Sequence, residues 1–128
     1  MPRSYDVRAV ALALDVPIKW VDNLLSHHEV PGVTRSRQGV GRTISDEGLL
    51  AIELVRLLAE FGVGVTRAVS IASEALASRS PDELRFVDRS GIELRFPVTL
   101  VERRLRDRMI DALDAVARVP RGRPRRVE

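Results

Sequence analysis

Apolar positions along this chain recur first at helical spacing, then in alternation, then at helical spacing again. Val7, Val10, Ala11 and Leu14 fall on one face of a first predicted helix, with Ser4 as its expected N-cap. Asp15-Val16-Pro17 predicts a turn, and Pro17 suits the first position of a second helix. That helix carries Ile18, Val21, Leu24 and Leu25 on one side and is expected to end near His28. Two short helices joined by so tight a turn predict a helix-turn-helix unit.

A glycine-rich polar stretch follows, running Pro31-Gly32-Val33-Thr34-Arg35-Ser36-Arg37-Gln38-Gly39-Val40-Gly41-Arg42-Thr43-Ile44. Basic residues around a glycine turn predict a β-hairpin suited to a phosphate backbone, the wing of a winged helix-turn-helix. Ser45 is the expected cap of a third helix, whose Asp46 and Glu47 suit the positive end of the helix dipole. Leu49, Leu50, Ile52, Leu54, Val55, Leu57 and Leu58 make that helix apolar over much of its circumference, so it should be central. Gly62-Val63-Gly64 ends it, and Thr66 is the expected cap of a fourth helix bearing Ala68, Val69, Ile71, Ala72, Ala75 and Leu76.

Ser78-Arg79-Ser80-Pro81-Asp82 is the clearest break. Beyond it Leu84 and Phe86 alternate with Arg85 and Val87, and Ile92, Leu94 and Phe96 alternate with Glu93 and Arg95 around the turn Arg89-Ser90-Gly91. This is a second hairpin. A final helix over 100–119 follows, with Val101, Leu105, Met109, Ala112 and Val116 along one seam. The expected fold is mainly α with small β-hairpins: a winged helix-turn-helix over 1–77, a hairpin-plus-helix module over 83–119, and a basic disordered tail over 120–128.

Composition narrows the chemistry. With 128 residues and no cysteine, the chain suits one domain with an appendage and excludes a disulfide scaffold or a thiolate metal site. Charges interrupt every apolar stretch, so no membrane span or signal segment is expected, and the location expected is cytoplasmic, on the nucleoid. The net charge of +3 is modest, yet Lys19 is the only lysine and arginines crowd the tail. Arginine offers a planar fork of donors to phosphates and base edges. His27 and His28 are adjacent and point in different helical directions, so no metal site is expected. No phosphate loop, nucleophile elbow or carboxylate cluster suggests an enzyme or a cofactor.

The candidate DNA contacts follow from these placements. Pro17, Lys19, Trp20 and Asn23 lie at the groove-facing start of the second helix. Lys19 has the chemistry for phosphate or guanine and Asn23 for adenine, although both also suit a solvated face and Trp20 also suits a core. Arg35, Arg37 and Arg42 would neutralise phosphates from the wing. Arg121-Gly122-Arg123-Pro124 resembles the core of an AT-hook, in which Arg121 and Arg123 would enter a narrow A·T minor groove.

Taken in order, Tyr5-Asp6-Val7, Asp15-Val16-Pro17, Trp20-Val21-Asp22-Asn23, Glu29-Val30-Pro31, Gly39-Val40-Gly41-Arg42, Ser45-Asp46-Glu47 and Gly62-Val63-Gly64-Val65-Thr66 resemble the DNA-binding domain of the bacterial MerR regulators. The resemblance covers about Tyr5 to Leu76 and implies a winged fold that binds double-stranded DNA. Asp22 stands where that family usually has arginine, Leu24 where it has tyrosine, and the wing is one residue longer. A hairpin and shorter helix replace the family's long dimerisation helix, so effector sensing and promoter untwisting are not implied. The expected function is a sequence-specific transcriptional regulator acting as a homodimer through Phe86, Leu94, Phe96, Leu105, Met109 and Val116. The alternative is an antitoxin-like or phage or chromosome-maintenance DNA-binding protein whose C-terminal module binds a protein partner. Architectural coating of DNA is a third reading.

Overall fold

Asp6, not Ser4, opens the first helix. Its Oδ1 accepts from the Ala9 N–H at 2.8 Å, satisfying a donor that a helix start otherwise leaves unpaired. Ser4 is drawn instead into a strand, where it pairs with Ser45. The computed structural model describes residues 4–34, 41–77, 83–87, 91 and 93–118, without the side chains of Leu84, Phe86, Val87, Leu94 and Arg118. Arg35, Arg37, Arg121 and Arg123, the 78–82 break and the Arg89-Ser90 turn therefore lie outside the described residues, as do the side chains of Phe86 and Leu94.

The elements in order are β1 (Ser4–Tyr5), α1 (Val7–Leu14), α2 (Ile18–His27), β2 (Val33–Thr34), β3 (Thr43–Ser45), α3 (Asp46–Glu60), α4 (Val65–Ala77), β4 (Glu83–Val87), β5 (Glu93–Pro97) and α5 (Val98–Arg118). The fold is thus mainly helical with small antiparallel sheets. Among the described residues no helix is long and apolar enough to cross a membrane.

β3 is the middle strand of a three-stranded sheet ordered β1-β3-β2. Tyr5 and Val33 both pair with Ile44, whose side chain is wholly buried beneath the helices. Ser45 ends the strand and caps α3 as expected, its Oγ accepting from the Gly48 N–H at 3.2 Å. Thr66 does not cap α4, because the helix already begins at Val65 and Ala68 N–H bonds back to the Gly64 carbonyl at 2.8 Å.

α3 is central, with every residue from Gly48 to Val55 buried. One of these is charged. Glu53 accepts Arg56 Nε at 2.6 Å and Nη2 at 2.9 Å, and Arg56 Nη1 reaches Glu60 at 2.7 Å. The hydrogen bond to Glu53 raises the Arg56 pKa further, outweighing the opposing effect of burial.

The C-terminal helix does not stand apart. α5 packs along α1 and against α3, and Val98, Leu105, Met109 and Ala112 belong to the same hydrophobic core as Val10, Leu14 and Leu50. The alanines of α1, Ala9, Ala11 and Ala13, are buried, and their small side chains let helices approach closely. Arg108 Nη1 also donates to the Ala13 carbonyl at 3.2 Å, placing a cation on the negative end of α1.

Two expected partner contacts are corrected by this packing. Leu105 is 3% exposed and Met109 1%, so both are spent within their own chain. Phe96 is half-buried beside Leu58, Ile71 and Ala75, and Val116 is half-buried as well. Among the described residues, the large apolar side chains that α5 leaves exposed are Leu100, Ile110 and Leu113.

Candidate nucleic-acid interface

The α1–α2 turn sets the angle at which α2 leaves the core. Asp15 adopts a left-handed conformation (φ 58°), which lets the Val16 N–H close on the Ala11 carbonyl at 3.0 Å. Pro17 is the N-cap of α2 rather than its first helical residue: its backbone is extended (ψ 144°), while its carbonyl accepts from the Trp20 N–H at 3.0 Å.

α2 has two distinct faces. Val21, Leu24 and Leu25 are buried, and Trp20 is half-buried against the same core. Lys19, Asp22, Asn23 and Ser26 recur at the spacing that keeps residues on one helical stripe. Lys19, Asn23 and Ser26 are exposed and Asp22 is intermediate. Pro17 is exposed at the start of the helix. Of the residues expected to touch DNA from α2, Pro17, Lys19 and Asn23 are thus accessible, whereas Trp20 contributes chiefly to packing.

The chain leaves α2 through a turn that anchors the first hairpin. His27 Nδ1 donates to the Asn23 carbonyl at 2.9 Å, whereas His28 lines an open groove with Leu25, Pro31 and Arg42. Among the described residues no group of three or more His, Cys, Asp or Glu side chains could hold a metal ion. Gly32 (φ +81°) turns the backbone into β2, and its carbonyl accepts from Ser45 N and Oγ, each at 2.9 Å. The hairpin base is therefore fastened to the start of α3.

Arg42 returns from that hairpin toward α2. Its Nη2 donates to Ser26 Oγ at 3.2 Å, and its Nη1 lies 3.8 Å from Asp22 Oδ1. The Arg42 side chain is 26% exposed and that of Asp22 50%. A cation from the hairpin thus sits on the polar stripe of α2. Asp22 and Ser26 were missing from the contacts expected from sequence, although their spacing from Lys19 places them on its stripe. Arg42 is paired within the chain, which makes it different in kind from a solvated loop arginine.

No protein-family model matches the chain, and no curated protein resembles it significantly.

Proposed function

We propose that this protein is a small winged helix-turn-helix DNA-binding transcriptional regulator, similar to the MerR DNA-binding domain over its first half and not an enzyme. The observation that carries the reading is the polar stripe Lys19–Asp22–Asn23–Ser26, directed away from the core and flanked by Arg42 of the neighbouring hairpin. An exposed helix beside a two-stranded hairpin suits a major groove and its adjoining phosphates. Arg35 and Arg37 belong to the same hairpin sequence and Arg121 and Arg123 to the basic tail, so all four extend the expected phosphate contacts. Such a protein acts on the nucleoid in a bacterial cytoplasm.

A homodimer completes the reading, because winged regulators gain discrimination from two half-sites about one helical turn apart. The exposed stripe of α5 supports it. Arg106, Ile110, Leu113 and Asp114 share one face, and an antiparallel two-fold centred on Ile110 would set Arg106 against the partner's Asp114.

The test is binding of the purified chain to random-sequence duplexes across salt, followed by selection of preferred sites. The expected result is a log–log salt slope of several units and a selected site with two half-sites. Lys19→Ala is expected to weaken all duplexes, whereas Asn23→Ala loses preference at one A·T pair by roughly 5–100-fold. Failure of the wild type to bind duplex DNA at low salt would overturn the proposal.

A further inference from the structure

Arg42 and Asp22 are brought together from different elements, and neither is needed to build the core. The pair joins the root of the hairpin to the middle of α2, with Ser26 one turn further along accepting from the same guanidinium. Three consequences follow from elementary electrostatics and hydrogen-bond geometry.

First, an arginine beside a carboxylate is a poor phosphate clamp. At 3.8 Å the half-exposed carboxylate offsets part of the charge that would displace a counterion, and it repels phosphates within a Debye length. Second, contact with two side chains restricts the arginine's rotamers, so less freedom remains to be lost on binding. Third, the pair matches the edge of one base pair. Guanine presents O6 and N7 as acceptors for an arginine fork, and its cytosine presents an N4 donor that a carboxylate accepts. Adenine and thymine do not offer that combination.

Resting on the reading of α2 as the groove helix, we propose that Asp22 and Arg42 act as one unit that reads a single G·C pair in the major groove. Arg42 contacts the guanine, while Asp22 orients it and suppresses its attraction for phosphate. Ser26 holds the second guanidinium nitrogen. The unit raises the ratio of specific to general DNA affinity rather than affinity as such.

The experiment compares wild type, Asp22→Asn, Arg42→Ala and the double variant, using selected and scrambled duplexes over a salt series. In wild type one position of the selected site is expected to prefer G·C over A·T by at least about tenfold. Asp22→Asn and Arg42→Ala should each lose most of that preference at the same position. Asp22→Asn should also bind scrambled duplex more tightly, with a salt slope steeper by about 0.9, because one arginine becomes available to a phosphate. Adding Arg42→Ala to Asp22→Asn should remove that extra slope, whereas Arg42→Ala alone should change the wild-type slope little.

Wild-type binding that is sequence-selective, with Asp22→Asn altering neither the G·C preference nor the slope, would overturn this assignment while leaving the general reading intact. Wild type that binds no duplex removes both. Circular dichroism of each variant separates lost folding from lost recognition; if Asp22→Asn unfolds the chain, the pair is structural and the proposal is wrong.

Discussion

Gly32 and Gly48 meet backbone to backbone. A Cβ on Gly32 would lie 2.2 Å from the Gly48 nitrogen, and one on Gly48 would lie 2.7 Å from the Gly32 carbonyl oxygen. This contact locks the exit of α2 to the first turn of α3, with Ser45 bonded to both glycines. It therefore fixes where the hairpin starts relative to the polar stripe of α2.

Gly32→Ala meets two penalties. The left-handed φ of +81° costs a β-carbon about 1–2 kcal/mol, and forcing a methyl into the contact costs roughly 1–3 kcal/mol more. Gly48→Ala is the sharper test because its effects oppose each other. Alanine within a helix gains about 1 kcal/mol over glycine, but here its methyl would strike backbone that cannot rotate away. Net destabilisation of both variants in urea unfolding is the expected outcome. A stabilised Gly48→Ala would mean that the contact yields easily.

Much of the fold is legible in the amino-acid sequence alone. The apolar run from Leu49 to Leu58 demands a buried helix, and Ser45 with Asp46 and Glu47 marks its start. The alternation of Leu84 and Phe86 against Leu94 and Phe96 appears as paired strand register. The failures have a common cause, since they depend on distant partners. Ser4 becomes a strand because Ser45 is across from it, not because of its neighbours. The seam of Leu105 and Met109 looks like a surface awaiting another molecule until α1 is found to cover it. Within the candidate site, periodicity places Lys19 and Asn23 on one stripe, but nothing local predicts that Arg42 would fold back onto Asp22.

The second hairpin carries a charge arrangement with a definite acid response. Arg85 and Arg95 are directly opposite each other across the strands, an unfavourable pairing on its own. Glu93 offsets it, lying 2.7 Å from Arg85 Nε and 2.6 Å from Arg95 Nε. The Arg95 hydrogen bond, aided by the charge of Arg85, holds the Glu93 carboxyl below its ordinary value of 4.5. A carboxylate lowered in the folded state stabilises the fold above its unfolded pKa, and the effect is lost as pH falls through the lowered value. The loss is therefore expected below about pH 4.5, and high salt should weaken it because the group is exposed. Glu93→Gln should flatten the acid limb of the stability profile there and change little at neutral pH in molar salt. Superimposable wild-type and variant profiles from pH 2 to 7 at low salt would contradict the assignment.

The division of labour on α5 can be tested by two substitutions one residue apart. Met109 is buried against its own chain and Ile110 is 52% exposed, although both are large and apolar. Met109→Ala removes packed volume from the core and should cost about 2–5 kcal/mol, read as a lower midpoint in denaturant. That loss should persist at any protein concentration, since the neighbours of Met109 are intramolecular. Ile110→Asp removes only the half of a side chain that lies beside Tyr5, Leu49 and Leu105, so its effect on the isolated fold should be clearly smaller than that of Met109→Ala. If two copies meet at Ile110, however, the substitution places two carboxylates at the two-fold and should shift the solution mass from dimer to monomer. Sedimentation at several concentrations separates these outcomes. A dimer that survives Ile110→Asp but dissociates with Met109→Ala, while the monomer stays folded, would restore the buried seam as the interface and require α5 to leave α1 on assembly.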